Sequence, residues 1–267
     1  MYKICIYILL IWLVKSISPF DILYAQGGIN EFSEKGIVYR SETAFDFRLH
    51  TNGMAFAVNL GEIITYYKTK YYHFEFGLIS DPREQNQNRN LLLGGRLSSS
   101  FAYGKQNSMM VLRAGVGHKY YLSEQAKRKG VALGYNCQIG PSLALLKPYY
   151  LDLIYQENKD GVPFFVLKSE KFGEDNAGVF TDLNSIFGSS GFSKGFSEIN
   201  IVPGIQAKAA LFFSMGAFDK YVRAIETGIM IDLFIRKVPI MIETEKVSNK
   251  PYFFNFYANF QIGYRKN

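Results

Sequence analysis

The segment from Tyr252 to Tyr264 alternates between large apolar and polar side chains with a period of two residues. One parity carries Tyr252, Phe254, Phe256, Ala258, Phe260, Ile262 and Tyr264, and the other carries Asn255, Tyr257, Asn259, Gln261 and Gly263. Because successive side chains of a β-strand point to opposite faces, the segment predicts a strand with one aromatic and one largely polar face. Such a strand is typical of a membrane barrel, whose aromatic face meets lipid.

The first residues have the pattern of a secretory signal. A short basic start ends at Lys3, and Ile4–Val14 is an unbroken apolar run of eleven residues. A membrane-spanning helix needs about 20 apolar residues, so this run is too short to be an anchor. We expect residues 1–25 to be a signal peptide cleaved near Ala25 and residues 26–267 to form one β-barrel domain.

The charge and cysteine content narrow the function classes. Removal of residues 1–25 takes away two lysines and one aspartate, so the net charge falls from +7 to +6. No run of lysine or arginine predicts nucleic-acid binding, and we expect contact with outer-membrane lipid and lipopolysaccharide instead. Cys137 is the only cysteine outside the signal, which excludes a disulfide within the mature chain.

Ten alternating segments can be drawn in an up-and-down order. They are Gly36–Leu49, Met54–Tyr67, Tyr71–Leu78, Leu92–Tyr103, Met109–Tyr121, Val131–Leu146, Tyr149–Gln156, a strand within Ser197–Phe213, Tyr221–Arg236 and Pro251–Tyr264. The fold class predicted is all-β, a transmembrane antiparallel up-and-down β-barrel. Eight or twelve strands stay open, because Val162–Leu167 could form another short strand. A secreted β-sandwich is the alternative, disfavoured by the strand lengths and by tyrosines clustered at strand ends.

Connection lengths predict which end of the barrel faces outward. Outer-membrane barrels have short periplasmic turns and longer external loops. With both termini periplasmic, the short side receives Lys68–Lys70, Gly104–Ser108, Lys147–Pro148 and Met215–Lys220. The outer side receives Ser80–Asn90, Leu122–Lys129, Asn158–Phe196, Lys237–Lys250 and the short turn Thr51–Gly53.

The parity opposite the aliphatic one predicts the side chains of the barrel interior. Its charged members are Arg40, Glu42, Asp46, Arg48, His73, Glu75, Arg96, Arg113, Lys119, Lys208, Glu226, Asp232 and Arg265. Barrels of about eight strands are filled by side chains, whereas aqueous channels need about 16 strands or more. A network of paired charges that fills the lumen is therefore favoured over the alternative, a narrow ion-selective pore.

Catalytic and metal chemistry find little support. His50 near Asp46, at the outer end of the first strand, superficially resembles the acid and histidine pairs of outer-membrane proteases. No Gly-x-Ser-x-Gly, His-Glu-x-x-His or paired-cysteine motif is present. We assign no catalytic, cofactor-binding or metal residue, and a barrel hydrolase is only a remote alternative.

The connection Asn158–Phe196 is the longest and the strongest candidate for a functional region. Loops of this length in compact domains are usually functional or disordered, and four phenylalanines argue against disorder. Those residues are Phe180, Phe187, Phe192 and Phe196, and Asp182–Phe187 could make one helical turn. The loop either folds over the barrel mouth as a cap or presents a docking surface for a protein partner.

Three stretches together resemble a known family. They are Gly140–Leu143 continuing into Leu146–Leu151, then Phe192–Glu198 with Pro203-Gly204, and then Ala224–Gly228 with Asp232 and Lys237–Met241. With the aromatic last strand, they resemble uncharacterised outer-membrane β-barrel proteins typical of Bacteroidetes-type bacteria, over about residues 130–267. The resemblance implies a barrel in the outer membrane and no assigned ligand or active site. Three residues follow Tyr264. The aromatic signal for the barrel-insertion machinery would therefore lie three residues before the last residue of the sequence.

These observations predict a non-enzymatic protein of the bacterial outer membrane. Its expected role is a structural or interaction component of that membrane. The alternative is a narrow channel or small-solute transporter, and no cofactor is expected in either case.

Overall fold

The computed structural model describes residues 39–65, 67–93, 95–122, 131–159, 162–215, 220–244 and 248–267. Eight long antiparallel strands form one closed barrel, and shorter elements gather at one of its ends. The predicted signal peptide, residues 1–25, lies outside the described residues and stays a prediction. Within the described residues, no helix has both the length and the apolar character needed to cross a bilayer.

The barrel strands have 10 to 18 residues each. They are β1 (Ser41–His50), β2 (Gly53–Thr65), β3 (Lys68–Ile79), β8 (Asn107–Tyr121), β9 (Val131–Pro148), β13 (Asn200–Met215), β14 (Tyr221–Phe234) and β15 (Tyr252–Lys266). The remaining strands are β4 (Asn86–Gln87), β5 (Leu92–Leu93), β6 (Arg96–Leu97), β7 (Phe101–Ala102), β10 (Tyr150–Lys159), β11 (Val162–Lys171) and β12 (Ile186–Ser189). Among the described residues, one short helix, α1, spans Ala177–Thr181, and a 3₁₀ turn spans Phe196–Glu198.

The predicted closure of the barrel is confirmed. Strand β15 pairs antiparallel with β14 on one side and with β1 on the other, and Phe47 lies opposite Phe260. Every barrel strand pairs with its neighbours along the chain, so the order is up-and-down throughout. The predicted turn at Gly53 is also present: its φ of 150° favours glycine, and a Cβ there would lie 2.1 Å from the Leu78 carbonyl oxygen.

The closed antiparallel barrel is confirmed, and its strand count is eight rather than ten, within the range left open. The predicted strand Leu92–Tyr103 breaks into two-residue pieces that pair outside the barrel. The predicted strand Tyr149–Gln156 forms β10, which belongs to a separate three-stranded sheet with β11 and β12. The additional short strand considered at Val162–Leu167 exists as β11 in that same sheet, so it adds nothing to the barrel.

Because the barrel has eight strands and not the ten predicted, several connections lie at a different end of the barrel from the one expected. Strand β1 begins and strand β15 ends at one end of the barrel, here called the terminal end, where Tyr67, Leu122 and Lys220 also lie. The opposite end, the distal end, carries the described residues of 51–52, 80–106, 149–199 and 235–251. The predictions for Gly104–Ser108 and Lys147–Pro148 were therefore wrong, because each lies at the end opposite to the one expected. Of the predicted connection Leu122–Lys129, only Leu122 is described, and it lies at the terminal end instead of the outer end expected.

The polarity of the barrel is inverted relative to a water-soluble protein. All eight strands point at least two large apolar side chains outward, where they are exposed. We call this surface the apolar belt: Phe45, Phe47, Leu49, Met54, Phe56, Leu60, Ile64, Tyr72, Phe74, Phe76, Leu78, Leu112, Val116, Val131, Ile139, Leu143, Ile201, Ile205, Leu211, Phe213, Met215, Tyr221, Ile225, Ile229, Ile231, Leu233, Tyr252, Phe254, Phe256, Phe260 and Ile262. The two meeting apolar faces of a sandwich are absent from the described strands, and the predicted outward facing of Phe256 is confirmed.

Candidate functional site

The barrel interior is occupied by paired charges. Of the described side chains, five acids and five bases are buried in the lumen: Glu42, Asp46, Glu75, Glu226 and Asp232, with Arg48, Arg113, Lys119, Lys208 and Arg265. An isolated buried charge is strongly unfavourable, so equal numbers of both signs are what a filled lumen requires.

Near the terminal end, one carboxylate joins two walls of the barrel. Glu42 on β1 accepts hydrogen bonds from Lys119 Nζ on β8 and from Arg265 Nε on β15, each at 3.0 Å. Lys119 also donates to Gln261 Oε1 at 2.7 Å, and Gln261 Nε2 donates to Asp46 Oδ1 at 2.7 Å. The contact between Glu42 and Lys119 crosses the lumen, because β1 and β8 are not neighbours.

The middle of the lumen is a chain of polar hydrogen bonds. Asn59 Nδ2 donates to Asp46 Oδ2 at 2.8 Å, and His73 Nδ1 lies 2.5 Å from Asn59 Oδ1. His73 Nε2 lies 3.1 Å from Lys208 Nζ and 3.0 Å from Glu75 Oε2. The histidine therefore links the hydrogen bonds around Asp46 to the charges at the distal side.

Glu226 in the same region is held by neutral donors. The Tyr257 hydroxyl donates to one carboxylate oxygen at 2.6 Å, and Asn136 Nδ2 donates to the other at 2.9 Å. The Tyr71 hydroxyl in turn donates to Asn136 Oδ1 at 2.8 Å. Tyr257 and Asn136 thus bond this acid directly and Tyr71 supports Asn136, so the group joins β3, β9, β14 and β15.

Glu75 is the centre of the distal ion pairs. Its carboxylate accepts hydrogen bonds from Arg48, from Arg113 and, at 2.6 Å, from Lys208 Nζ. Arg113 also donates to both oxygens of Asp232 at 2.8 Å each. These residues come from β1, β3, β8, β13 and β14, so a single cluster joins five of the eight strands across the lumen.

Eleven of the thirteen charged side chains predicted for the interior are buried there. Arg40 and Arg96 are the exceptions, because Arg40 precedes β1 and Arg96 lies in the short external strand β6, both exposed. The four C-terminal residues expected to face the interior are also buried: Asn255, Asn259, Gln261 and Arg265. Parity also placed Tyr257 on the polar face of the last strand, whereas Tyr71 was expected among the tyrosines at strand ends; both tyrosines belong to the interior network.

The pair of Asp46 and His50 does not form an acid–histidine site. The Asp46 carboxylate is bonded by Asn59 and Gln261, and neither ring nitrogen of His50 has a hydrogen-bond partner among the described residues. His50 is buried inside the barrel wall instead of lying in a solvated turn. Among the described side chains, no three His, Cys, Asp or Glu residues are placed to hold a metal ion.

An apolar layer closes the lumen above the charges at the distal end. Val238, Ile240 and Met241 from the connection 235–251 are buried within the mouth. They pack against wall residues Ile79, Met109, Val111, Ala144, Leu146, Val202, Phe234 and Phe253. Backbone amides of residues 106 and 107 donate to the Ile240 carbonyl oxygen at 2.8 and 3.1 Å, which fixes the segment in place. We call Val238–Met241 the mouth plug.

A separate apolar core lies beyond the barrel mouth. It contains Phe101, Leu151, Leu153, Phe180 and Ile186, packed beneath the sheet of β10, β11 and β12. The described residues of 80–106, 149–199 and 235–251 are here called the distal cap. The prediction of a helical turn at Asp182–Phe187 was wrong by about one turn, because the helix spans Ala177–Thr181. Phe180 and Phe187 are buried in the cap, whereas Phe192 and Phe196 are exposed.

Comparison with known proteins adds little to this geometry. No protein-family model matches the chain, and no curated protein matches it. Two solved structures superpose on it, each covering 85% of this chain. They are the N-terminal β-barrel domain of Pseudomonas aeruginosa OprF (97% of that chain, 7% identity, TM-score 0.34) and Neisserial surface protein A, NspA (96% of that chain, 6% identity, TM-score 0.36). Likeness at this level carries over no property of either protein, so a function must be inferred from the barrel's own surface and lumen.

Proposed function

We propose that this chain is an integral outer-membrane β-barrel protein with a sealed lumen, which acts as a structural or interaction component of that membrane. The observation that carries the proposal is the inverted polarity, with paired charges inside and an apolar belt outside. A soluble monomer rarely exposes a contiguous apolar patch above a few hundred Å². A closed barrel is one of the two backbone arrangements that satisfy every hydrogen bond within a bilayer.

The sidedness of the proposal follows from the connections. Three of the four distal connections are long, and outer-membrane barrels carry their long loops on the external face. The distal cap is therefore proposed to stand outside the cell, with the start of β1 and the end of β15 on the periplasmic side. Contact with a protein partner would use this cap, including the connection 158–196 predicted from the sequence.

The sealed lumen is supported by its width and contents. Eight strands enclose a space that side chains fill, and cross-lumen ion pairs occur at both the Glu42 and the Glu75 levels. The mouth plug then adds an apolar barrier at the distal end. A non-enzymatic role is part of the proposal, and it is supported by the engagement of Asp46 with neighbouring amides.

A narrow channel is the second candidate, and one observation favours it. Buried polar atoms of His50, Ser142, Gln206, Asn255 and Asn259 have no hydrogen-bond partner among the described residues. Buried polar atoms of this kind usually bind water, and a thin hydrated path along the wall would let small ions pass. Liposome swelling separates the two functions, because only a channel would admit small sugars or salts faster than empty liposomes do.

Several finer features remain proposals on sequence grounds. They are cleavage near Ala25, handling by the barrel-insertion machinery, contact with lipopolysaccharide, and membership of the Bacteroidetes-type family. Two of the stretches that carry the resemblance have structural roles in this chain, and Lys237–Met241 contains the mouth plug. Gly140 is likewise confined, because a Cβ at that position would lie 2.1 Å from the Ala114 carbonyl oxygen.

Membrane fractionation tests the proposed location. We expect the protein in the outer-membrane fraction, resistant to alkaline extraction, with faster gel mobility unheated than after boiling. Recovery in the soluble periplasmic or secreted fraction, with a single gel mobility, would refute the proposal. A variant with Phe256→Lys in the apolar belt is the matched control, because it should lose the folded gel form without a change in export signal.

A further inference from the structure

The segment Phe192–Glu198 folds around a buried lysine on the outside of the barrel. Lys147, near the distal end of β9, has the outward parity of its strand yet is only 3% exposed. Its Nζ lies 4.1 Å from the ring centre of Phe192 and 4.9 Å from that of Phe196. It also donates to the carbonyl oxygens of Phe192 and Lys194, so the ammonium group organises this segment.

The two phenylalanines are fixed in place but remain exposed. Their rings meet edge to face, with centres 5.3 Å apart and planes at 74°. Tyr150 and Lys171 bind Glu198, which ties the 3₁₀ turn to the sheet of the distal cap. Phe192 is nevertheless 67% exposed and Phe196 is 45% exposed. Exposed aromatic rings held this rigidly mark a surface that meets an apolar partner.

The aromatic pair continues the apolar belt toward the distal end. Leu146 lies opposite Asn200, the first residue of β13, and Lys147 is one residue farther out on β9. Directly toward the terminal end, Ile201 and Ile205 point outward from β13 and belong to the belt. Phe192 and Phe196 therefore stand at the rim, where lipid chains would end and headgroups begin.

We propose that Phe192 and Phe196 insert into the headgroup–acyl boundary of the outer leaflet and hold the distal cap against the membrane. The inference rests on the proposed membrane location. Rings at this depth bury apolar surface, as the aromatic girdles of membrane barrels do. Lys194, exposed between the two rings, would lie at the level of the lipid phosphates, which attract a cation.

Single-tryptophan variants test the insertion directly. Trp12 is the only tryptophan of the chain, so Trp12→Phe provides a tryptophan-free background in the full chain. Into it we would introduce Phe192→Trp, Phe256→Trp in the belt or Phe165→Trp on β11. These three phenylalanines are 67%, 60% and 62% exposed, so only their position differs. Each variant is reconstituted in vesicles of brominated phospholipids, with folding checked by heat-modifiable gel mobility.

We expect the Phe256→Trp variant to lose most of its emission to bromines deep in the acyl chain. The Phe192→Trp variant should be quenched best by bromines near the headgroup, and the Phe165→Trp variant only by aqueous iodide. If the Phe256→Trp variant is quenched by lipid but the Phe192→Trp variant behaves like Phe165→Trp, the insertion of the aromatic pair is refuted. The proposed membrane location is then kept. If none is quenched by lipid, both proposals fail together. Should the Phe192→Trp variant not fold, Phe196→Trp replaces it with the same expected result.

Discussion

The strands of the barrel and of the distal cap share a two-residue alternation, but the barrel buries its polar side chains and the cap buries its apolar ones. In the barrel, charged and amide side chains face the interior and apolar side chains face outward; in the cap, Leu151, Leu153 and Phe180 are fully buried. The change occurs within a few residues, where β9 ends at Pro148 and β10 begins at Tyr150. Alternation alone does not say which parity is buried; the surrounding solvent decides it. The change at Pro148 thus marks a proposed boundary between lipid and water.

The largest effect is expected inside the barrel, at Glu75. Replacement by alanine leaves Arg48, Arg113 and Lys208 without the carboxylate that they share. Breaking a buried ion pair costs about 3–5 kcal/mol of unfolding free energy, so the variant should fold weakly or fail to insert. Urea titration in vesicles, followed by gel mobility, measures the loss.

Glu157→Ala on the cap hairpin is the control for that experiment. Glu157 pairs with Lys168 at 2.7 Å, but both side chains are nearly half exposed to solvent, so little or no loss is expected. Equal unfolding midpoints for Glu75→Ala and the wild type would contradict a lumen held together by charge pairing.

The next effect concerns the outer surface. Phe256→Lys places a cation in the apolar belt and should cost about 2–4 kcal/mol if lipid surrounds that position. Phe165→Lys, at an equally exposed phenylalanine of the cap, should be nearly neutral. Asn259→Ser, on the inward face of β15, should be milder than Phe256→Lys. Vesicle insertion yield distinguishes the three, and similar yields for Phe256→Lys and Phe165→Lys would argue against a lipid boundary at Pro148.

A smaller and local effect is expected in the core of the cap. Leu153→Ala removes a fully buried side chain and should destabilise the cap by about 2 kcal/mol, the lower end for such truncations. Limited proteolysis should then cut the cap sooner, while the heat-modifiable mobility of the barrel stays unchanged. Simultaneous loss of both would mean that the cap and barrel unfold as one unit.

The smallest effect is a pH dependence at Asp81, outside the barrel strands. Partial burial acts to raise the pKa of this carboxyl, but hydrogen bonds from Arg83 outweigh it and lower the pKa below its usual value. A depressed pKa in the folded state stabilises above the unfolded value of about 3.9 and loses that contribution as the pH falls through the folded pKa. Asp81→Asn should remove this acid-sensitive part, worth about 0.2–1 kcal/mol, from cap stability measured between pH 3 and 6.

The sequence predicted individual barrel strands better than it predicted their number. Strong alternation in β14 and β15 predicted those strands, their facing and the closure onto β1. Tyr149–Gln156 also alternates, yet its period cannot tell a barrel strand from a strand of a small soluble sheet. Leu92–Tyr103 contains adjacent leucines and two glycines, so its alternation was weak from the start.

The lumen residues were predictable, but their partners were not. Parity placed Glu75 and Arg113 inside the barrel, because the residues adjacent to each along its strand are apolar and point to the other face. Which charges meet depends on the number of strands, since β8 approaches β14 across the lumen only when the barrel is narrow. The mouth plug gave no periodic signal, because Val238–Met241 is an irregular segment buried by its position in the fold.

Single-channel recording in planar bilayers tests the sealed lumen most directly. The purified wild-type barrel, inserted with its folded gel mobility, should give no steady open-channel current in salt solution. Ile240→Ala, which weakens the mouth plug, should also stay closed, because the ion pairs around Glu75 still fill the lumen below it. Steady, reproducible currents from the wild-type protein would contradict the filled lumen and favour the channel.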